Sequence, residues 1–303
     1  SRTVYKKVHQ RYPQKAVFWS EDLNQKTTRG QYAEDKAAGM CSCYNLSDKP
    51  WLDVVNNPFM CGTFVWTGFD YKGEPNPYGW PDVSNNTGLM DCCGFPKDKY
   101  YYFESCWSDK PMVHVVPASW NWSGKEGQNI RMLAFSNAKQ VELFLNGKSL
   151  GKKEVPHDDY VQWEVPYQPG QLTAKAYTDG QTVATDTVET TGTPASIQLS
   201  PERTTLQANA EDAVVVPVSI LDAQGRVVSD SGNRVTFQLN GPGEILGVSN
   251  GNPADHDTDK SNQRNAFHGH CIVVIEAGAQ PGTIQLTASS PGLGAGVASF
   301  EVK

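Results

Sequence analysis

Residues 62–81, GTFVWTGFDYKGEPNPYGWP, decide how the first third of the chain is read. Thr63, Phe64, Val65 and Trp66 are β-branched or aromatic, which suits a strand. The strand breaks at Gly68 into a long loop rich in Gly, Pro and aromatic residues, with Asp70 and Glu74 inside it. A strand that empties into aromatics and carboxylates has the form of a saccharide-binding rim. The aromatic face stacks on the C–H face of a pyranose, and the carboxylates accept bonds from its hydroxyls. A loop packed by its own aromatics fits the same residues.

Upstream, Val4, Val8 and Tyr12 share one helical face before Pro13. Ala16-Val-Phe-Trp19 is an apolar run without alternation, expected as a strand buried on both sides. A helix is expected around Tyr32–Met40, a strand over Phe59–Trp66 and a helix over Lys97–Ser108. Helix, buried strand, crossover, buried strand, loop and helix make part of an α/β pattern with parallel strands. It is too short for a closed barrel.

The texture changes after Pro111. Strands are expected at Asn129–Phe135 and Gln140–Leu145, with Asn146-Gly147 as a hairpin signal. Leu172–Tyr177 and Thr182–Val188 flank Asp179-Gly180 as a second hairpin. Residues 112–191 therefore read as a small all-β sandwich, and Thr190–Pro194 as a linker. Further strands near Ile197–Leu199, Ala213–Leu221, Arg234–Asn240, Cys271–Glu276, Thr283–Ser289 and Val297–Val302 make a second sandwich. It carries a turn at Asp222–Gly225 and a long polar loop from Val248 to His268. The expected domains are 1–110, 111–192 and 193–303.

A net charge of −7 over 303 residues, with no basic cluster, argues against a nucleic-acid or anionic-membrane partner. No apolar run reaches transmembrane length, and the N-terminus lacks the apolar core of a signal peptide. A bacterial periplasmic or secreted setting is expected ahead of a cytoplasmic one. Seven cysteines, with Cys92 beside Cys93, do not form a disulfide framework. Cys41/Cys43 with Cys92/Cys93 lack the spacing and the nearby His of a zinc site, so buried thiols are expected. His114 and His157 stand isolated, and His256, His268 and His270 lie in or beside the polar loop. No cofactor and no metal site are expected.

In α/β domains, functional groups gather at the C-terminal ends of the strands. Two such ends are visible, Ser20-Glu21-Asp22 and Trp66-Thr67. Glu21, held just beyond an apolar strand, suits a nucleophile or general base. The alternative is that Ser20 or Asp22 caps a turn and Glu21 is solvated. Asp70 and Glu74 are ligand candidates or loop hydrogen-bond partners.

Taken in order, GTFVWTGFDYKGEPNPYGWP, MDCCGFPKDKYYYFESCW, ASWNWSGKEGQ and VELFLNGKSLG, then GVSNGNPADHD and QRNAFHGHC, resemble the C-terminal half of glycoside hydrolase family 2, in particular its β-galactosidase-like members. The resemblance runs over nearly the whole chain. It implies the last strand–helix units of a (β/α)8 TIM barrel followed by two immunoglobulin-like β-sandwiches. It also implies a retaining exo-β-glycosidase with two glutamates, β-galactosidase leading and β-glucuronidase or β-mannosidase as alternatives. AVFWSEDLNQKTTRG places Glu21 on the family's nucleophile. Trp66 falls on the tryptophan that floors the sugar subsite, followed by a cis peptide; Asp70 and Glu74 fall on rim positions, and Asn24, where members often have small residues, is a further substrate-binding candidate. The general acid is implied upstream of Ser1. The chain alone is therefore expected to be inactive, with the remainder of the same enzyme as its partner. The sandwiches are expected to brace the barrel or build a homo-oligomer interface. A non-catalytic carbohydrate-binding or assembly module is the competing reading.

Overall fold

The computed structural model describes residues 4–22, 26–45 and 50–303. Helices are few and short beside many strands. None is long and apolar enough to cross a membrane among the described residues. The chain divides into two compact units. The first holds residues up to 118 with 128–166 and 172–188; the second holds 119–127, 167–171 and 189–303.

In the first unit, strands Val17–Asp22 and Met60–Val65 pair in parallel. Helices Val4–Arg11 and Pro50–Val55 accompany them. Tyr5, Val17, Val54 and Met60 form a small core, with Trp19, Trp51 and Phe59 against it. The strands are not buried on both sides as their composition suggests. Phe18 is 56% and Phe64 64% exposed, and their rings meet edge to face at 6.0 Å. The helical face of Val4, Val8 and Tyr12 is likewise in water, and Tyr5 is the helix residue that turns inward. Parallel strands normally have both faces covered; here the described residues supply one covering layer.

No helix forms over residues 32–40. Asp35 and Met40 bridge antiparallel, closing a tight turn. The Asp35 carboxylate accepts bonds from the amides of Ala37 and Ala38, and Gly39 takes a φ of 71°. The side chain offers the backbone an alternative to the helix. Helix Asp98–Trp107 does form. Its Tyr102 and Phe103 pack with Val116, Leu133 and Phe135.

Besides a two-stranded ribbon of Tyr71–Lys72 with Ser84–Asn85, the first unit holds two larger sheets. One orders Val113–Val116, Asn129–Ser136 and Tyr160–Pro166; the other orders Gln181–Glu189, Gln171–Thr178, Gln140–Leu145 and Lys148–Glu154. Alternate residues Val161, Trp163 and Val165, and Val141, Leu143 and Leu145, are buried. Asn146 and Gly147, then Asp179 and Gly180, all take positive φ, as two-residue hairpin loops require.

The second unit is a β-sandwich of a four-stranded and a five-stranded sheet. Val214, Val216, Val218 and Ile220 face Phe237, Ile284, Leu286 and Phe300 in one continuous core. Two further strands form: Gly243–Ser249, which precedes the expected loop and overlaps its start, and Gln263–Asn265, which lies within it. Arg264, 1% exposed, ties the intervening segment down through the Val248 and Thr258 carbonyls and the Asp259 carboxylate. The expected turn at Asp222 is built on its carboxylate. One oxygen accepts the amides of Gln224 and Arg226, and the other accepts Gly192 N–H and the Arg226 guanidinium. Burial works against the ionised form, but these bonds hold the Asp222 carboxyl well below the usual carboxylate range.

Candidate active site

Because the two strands run parallel, their C-terminal ends share one edge. Asp22 stands opposite Val65, and the register slips between Trp19 and Asp22. The bulge gives the first strand one extra residue around Ser20 and Glu21, a device that re-aims side chains. Glu21 is exposed at this edge. Trp66 follows Val65, is 42% exposed, and is joined to Thr67 by a cis peptide, as the resemblance implies.

The loop beyond carries Tyr71, whose ring stands perpendicular to the Trp66 ring at 6.4 Å. Its hydroxyl donates to the Glu74 carboxylate at 2.9 Å. Glu21 lies within electrostatic reach of the same hydroxyl. Partial burial and the bond to Glu74 push the Tyr71 hydroxyl above its ordinary value, and the Trp66 indole acts in the opposite direction. The edge thus presents an aromatic plate, a perpendicular tyrosine and the carboxylates of Glu21 and Glu74. An indole face offers dispersion to sugar C–H groups, and the carboxylates accept hydroxyl protons. Asn24 lies outside the described residues.

Asp70 points the other way. It is 7% exposed and its carboxylate meets the Lys97 ammonium at 2.8 and 3.1 Å. Lys97 also donates to the Thr27 and Asn86 carbonyls, and Asp70 accepts the Gly88 amide at 2.8 Å. Burial pushes the Asp70 carboxyl up to about 6, against the pull of Lys97. Gly88 is there by necessity: a Cβ would lie 2.2 Å from the Asp70 amide nitrogen and 2.5 Å from the Met90 carbonyl. Asp70 therefore holds the rim from behind.

Other groups complete this support. Arg29 donates to Asp91 at 2.6 Å and lies over the Phe95 ring. Asp82, 1% exposed, accepts from the Ser84 amide and the Asn86 side chain, and burial pushes its carboxyl up to about 6. Lys99 donates to the Thr87 carbonyl. The lysines of FPKDK next to an aromatic helix are the one usable signal, since a lysine beside so much apolar surface needs an acceptor cage if buried.

His114 is not isolated. Its ring nitrogens face Asp98 at 3.1 Å and Asp186 at 3.5 Å, and it stacks on Tyr101. All seven cysteines are thiols, of which Cys41, Cys43 and Cys271 are buried and Cys61 is exposed. Among the described residues, no group of three or more His, Cys, Asp or Glu side chains is placed to hold a metal.

Residues 197–299 match the family model "Glycoside hydrolase family 2 C-terminal domain 5", and residues 127–184 match a domain of unknown function, DUF4982. The chain is 44% identical over 263 residues to the β-galactosidase BoGH2A of Bacteroides ovatus, which covers 84% of this chain and 31% of that protein. It is 31% identical over 275 residues to a putative β-glucuronidase of Formosa agariphila, covering 88% and 27% respectively. A β-glycosidase crystal structure from Bacteroides vulgatus superimposes with a TM-score of 0.91 at 28% identity, over 98% of this chain and 43% of that one. The chain spans about a third of the length of these curated relatives.

Proposed function

Because this chain belongs to glycoside hydrolase family 2, as a C-terminal portion of such a polypeptide, we propose that it supplies one side of the active site of a retaining exo-β-glycosidase. The observation that carries this reading is the shared edge, where Glu21 and Trp66 end adjacent parallel strands. The uncovered Phe18 and Phe64 support taking the pair as two strands of a (β/α)8 barrel whose other strands lie elsewhere in the longer polypeptide.

In this reading Trp66 floors the subsite for the terminal sugar. Glu74 and Asn24 accept or donate at its hydroxyls, and Asp70 with Lys97 fixes the loop that presents them. The Glu21 carboxylate attacks the anomeric carbon and forms a covalent glycosyl-enzyme. A second carboxyl protonates the leaving oxygen and then deprotonates the water that releases the sugar. A retaining enzyme needs the two carboxyls about 5–5.5 Å apart. By the resemblance, that acid lies upstream of Glu21 in the polypeptide. Higher identity to the relative named a β-galactosidase than to the one named a putative β-glucuronidase supports a terminal β-galactoside as substrate. β-Glucuronide is the second reading.

The test is hydrolysis of aryl β-galactoside and aryl β-glucuronide by the longer polypeptide, native and Glu21→Gln. The substitution is expected to lower kcat on the order of 10³-fold or more while substrate still binds. Full activity in that variant would remove Glu21 from the mechanism. Preferential cleavage of the glucuronide would replace the galactoside assignment.

A further inference from the structure

Two adjacent thiols stand in the turn behind the rim, and the glycosidase reading does not use them. The turn is fixed by Asp91, which is 0% exposed and held by Arg29. One Asp91 carboxylate oxygen accepts the amides of Cys93 at 2.9 Å and Phe95 at 3.0 Å. The Asp91 carbonyl accepts Gly94 N–H, and the Asp91 amide donates to the Phe95 carbonyl. Just before it, the chain is stitched to the segment that follows Trp66. Leu89 N–H donates to the Thr67 carbonyl, Met90 N–H to the Gly68 carbonyl, and Asp70 N–H to the Met90 carbonyl. A change in this turn therefore bears directly on the backbone that follows Trp66.

The thiols of the first unit differ in kind. Burial pushes Cys41 and Cys106 up to about 12 and Cys43 well above its ordinary value. Cys92 goes the other way. It is half-buried, and a hydrogen bond with the Cys93 thiol holds it below the usual thiol range. Cys61 is exposed, but no cysteine adjoins it in sequence to resolve an adduct.

We propose that Cys92 and Cys93 form a dithiol modification site that closes reversibly to a vicinal disulfide by exchange with a low-molecular-weight disulfide, loosening the turn behind Trp66. The Cys92 thiolate attacks one sulfur of the oxidant; its S–S bond breaks, a mixed disulfide forms, and a thiolate leaves. Cys93, its proton passed to solvent, attacks the Cys92 sulfur and expels the second thiolate. Two protein thiols are oxidised, one small disulfide is reduced to two thiols, and the two protons end on the leaving groups. Consecutive Cα atoms are about 3.8 Å apart, whereas ordinary disulfides span roughly 4.4–6.8 Å. Ring closure must therefore bend the turn, and the Cys93 amide bond to Asp91 is the contact placed to give way. This inference does not depend on the glycosidase reading.

Peptide mapping by mass spectrometry after treatment of the folded chain with glutathione disulfide tests it. The native chain is expected to yield a Cys92–Cys93 peptide lighter by two hydrogens, with no retained adduct, while Cys61 retains glutathione. Cys93→Ser is expected to trap the adduct on Cys92. A stable adduct on Cys92 in the native chain, or an unmodified Cys92 when Cys61 has reacted fully, overturns the site. Hydrogen exchange tests the coupling. Oxidation should speed exchange at the amides of residues 89–91 and of Asp70 by at least about tenfold, reversibly with dithiothreitol; unchanged exchange in the oxidised chain overturns the loosening.

Discussion

The parallel pair at the candidate active edge and the four-stranded sheet of the C-terminal unit draw on the same residue types and end differently. In the C-terminal sheet, Val214, Val216, Val218 and Ile220 alternate into a core closed by a second sheet, so each apolar side chain has partners. In the parallel pair, Val17 and Met60 are covered while Phe18 and Phe64 stand in water. The difference concerns layers rather than propensity. A sheet face contributes stability only when something covers it. The open face belongs to the pair whose C-terminal edge carries the exposed Glu21 and Trp66, whereas the closed sandwich keeps its apolar faces for itself.

The most forceful way to break this comparison is to truncate one phenylalanine on each side. Phe237, 1% exposed in the sandwich core, should cost about 3–5 kcal/mol when changed to alanine. Phe64→Ser, at 64% exposure, should stay within about 0.5 kcal/mol in the same chain. Urea unfolding reads both, and equal losses would mean that Phe64 is covered in solution. A second contrast lies between buried carboxylates. Asp222→Ala strips the acceptor from three amides and a guanidinium, for an expected loss of about 2–4 kcal/mol in the C-terminal unit. Its depressed pKa means that the native contribution is present above about pH 4 and fades as the pH falls below that.

Asp82 has the opposite sign. Its folded pKa is raised from 3.8 to about 6, so its contribution is complete below about pH 4 and is lost as the pH rises through about 6. Calorimetry of the native chain between pH 4 and pH 7 should show a decline that Asp82→Asn reduces by about 1–3 kcal/mol. An unchanged slope in that variant would mean that Asp82 is solvated or paired in the folded chain. The two carboxylates are similarly buried yet shift in opposite directions, because Asp222 is surrounded by donors that include a guanidinium and Asp82 by neutral groups.

The local signals in the sequence were strong where the cause is local. Asn146-Gly147 and Asp179-Gly180 form their hairpins because only those residues take two successive positive φ angles cheaply. The parallel pair was readable from uninterrupted apolar runs, but its open face was not, since composition records what a strand buries when its sheet is complete. The strand Gly243–Ser249 was hidden by its glycines. A Cβ at Gly243 would meet the Glu276 carbonyl at 2.5 Å, and one at Gly247 the Asp259 carbonyl at 2.8 Å. Glycine there marks close backbone approach rather than a loop. At the candidate site, Glu21, Trp66 and Glu74 lie exposed at the edge and rim, whereas Asp70 turns inward. Its partner Lys97 is 27 residues away, and no local pattern links the two.

The cage around Lys97 has a practical meaning. Lys97 and Lys99 are 1% and 0% exposed, whereas the Lys139 side chain is 65% exposed. An acylating reagent reaches Lys139 in the folded chain but meets Lys97 only when the loop behind Trp66 has opened. The ratio of the two labelling rates, corrected for intrinsic reactivity, is then an equilibrium constant for that opening. The molecule carries its own gauge, one amine reporting the solvent and another reporting how often the loop behind Trp66 comes apart.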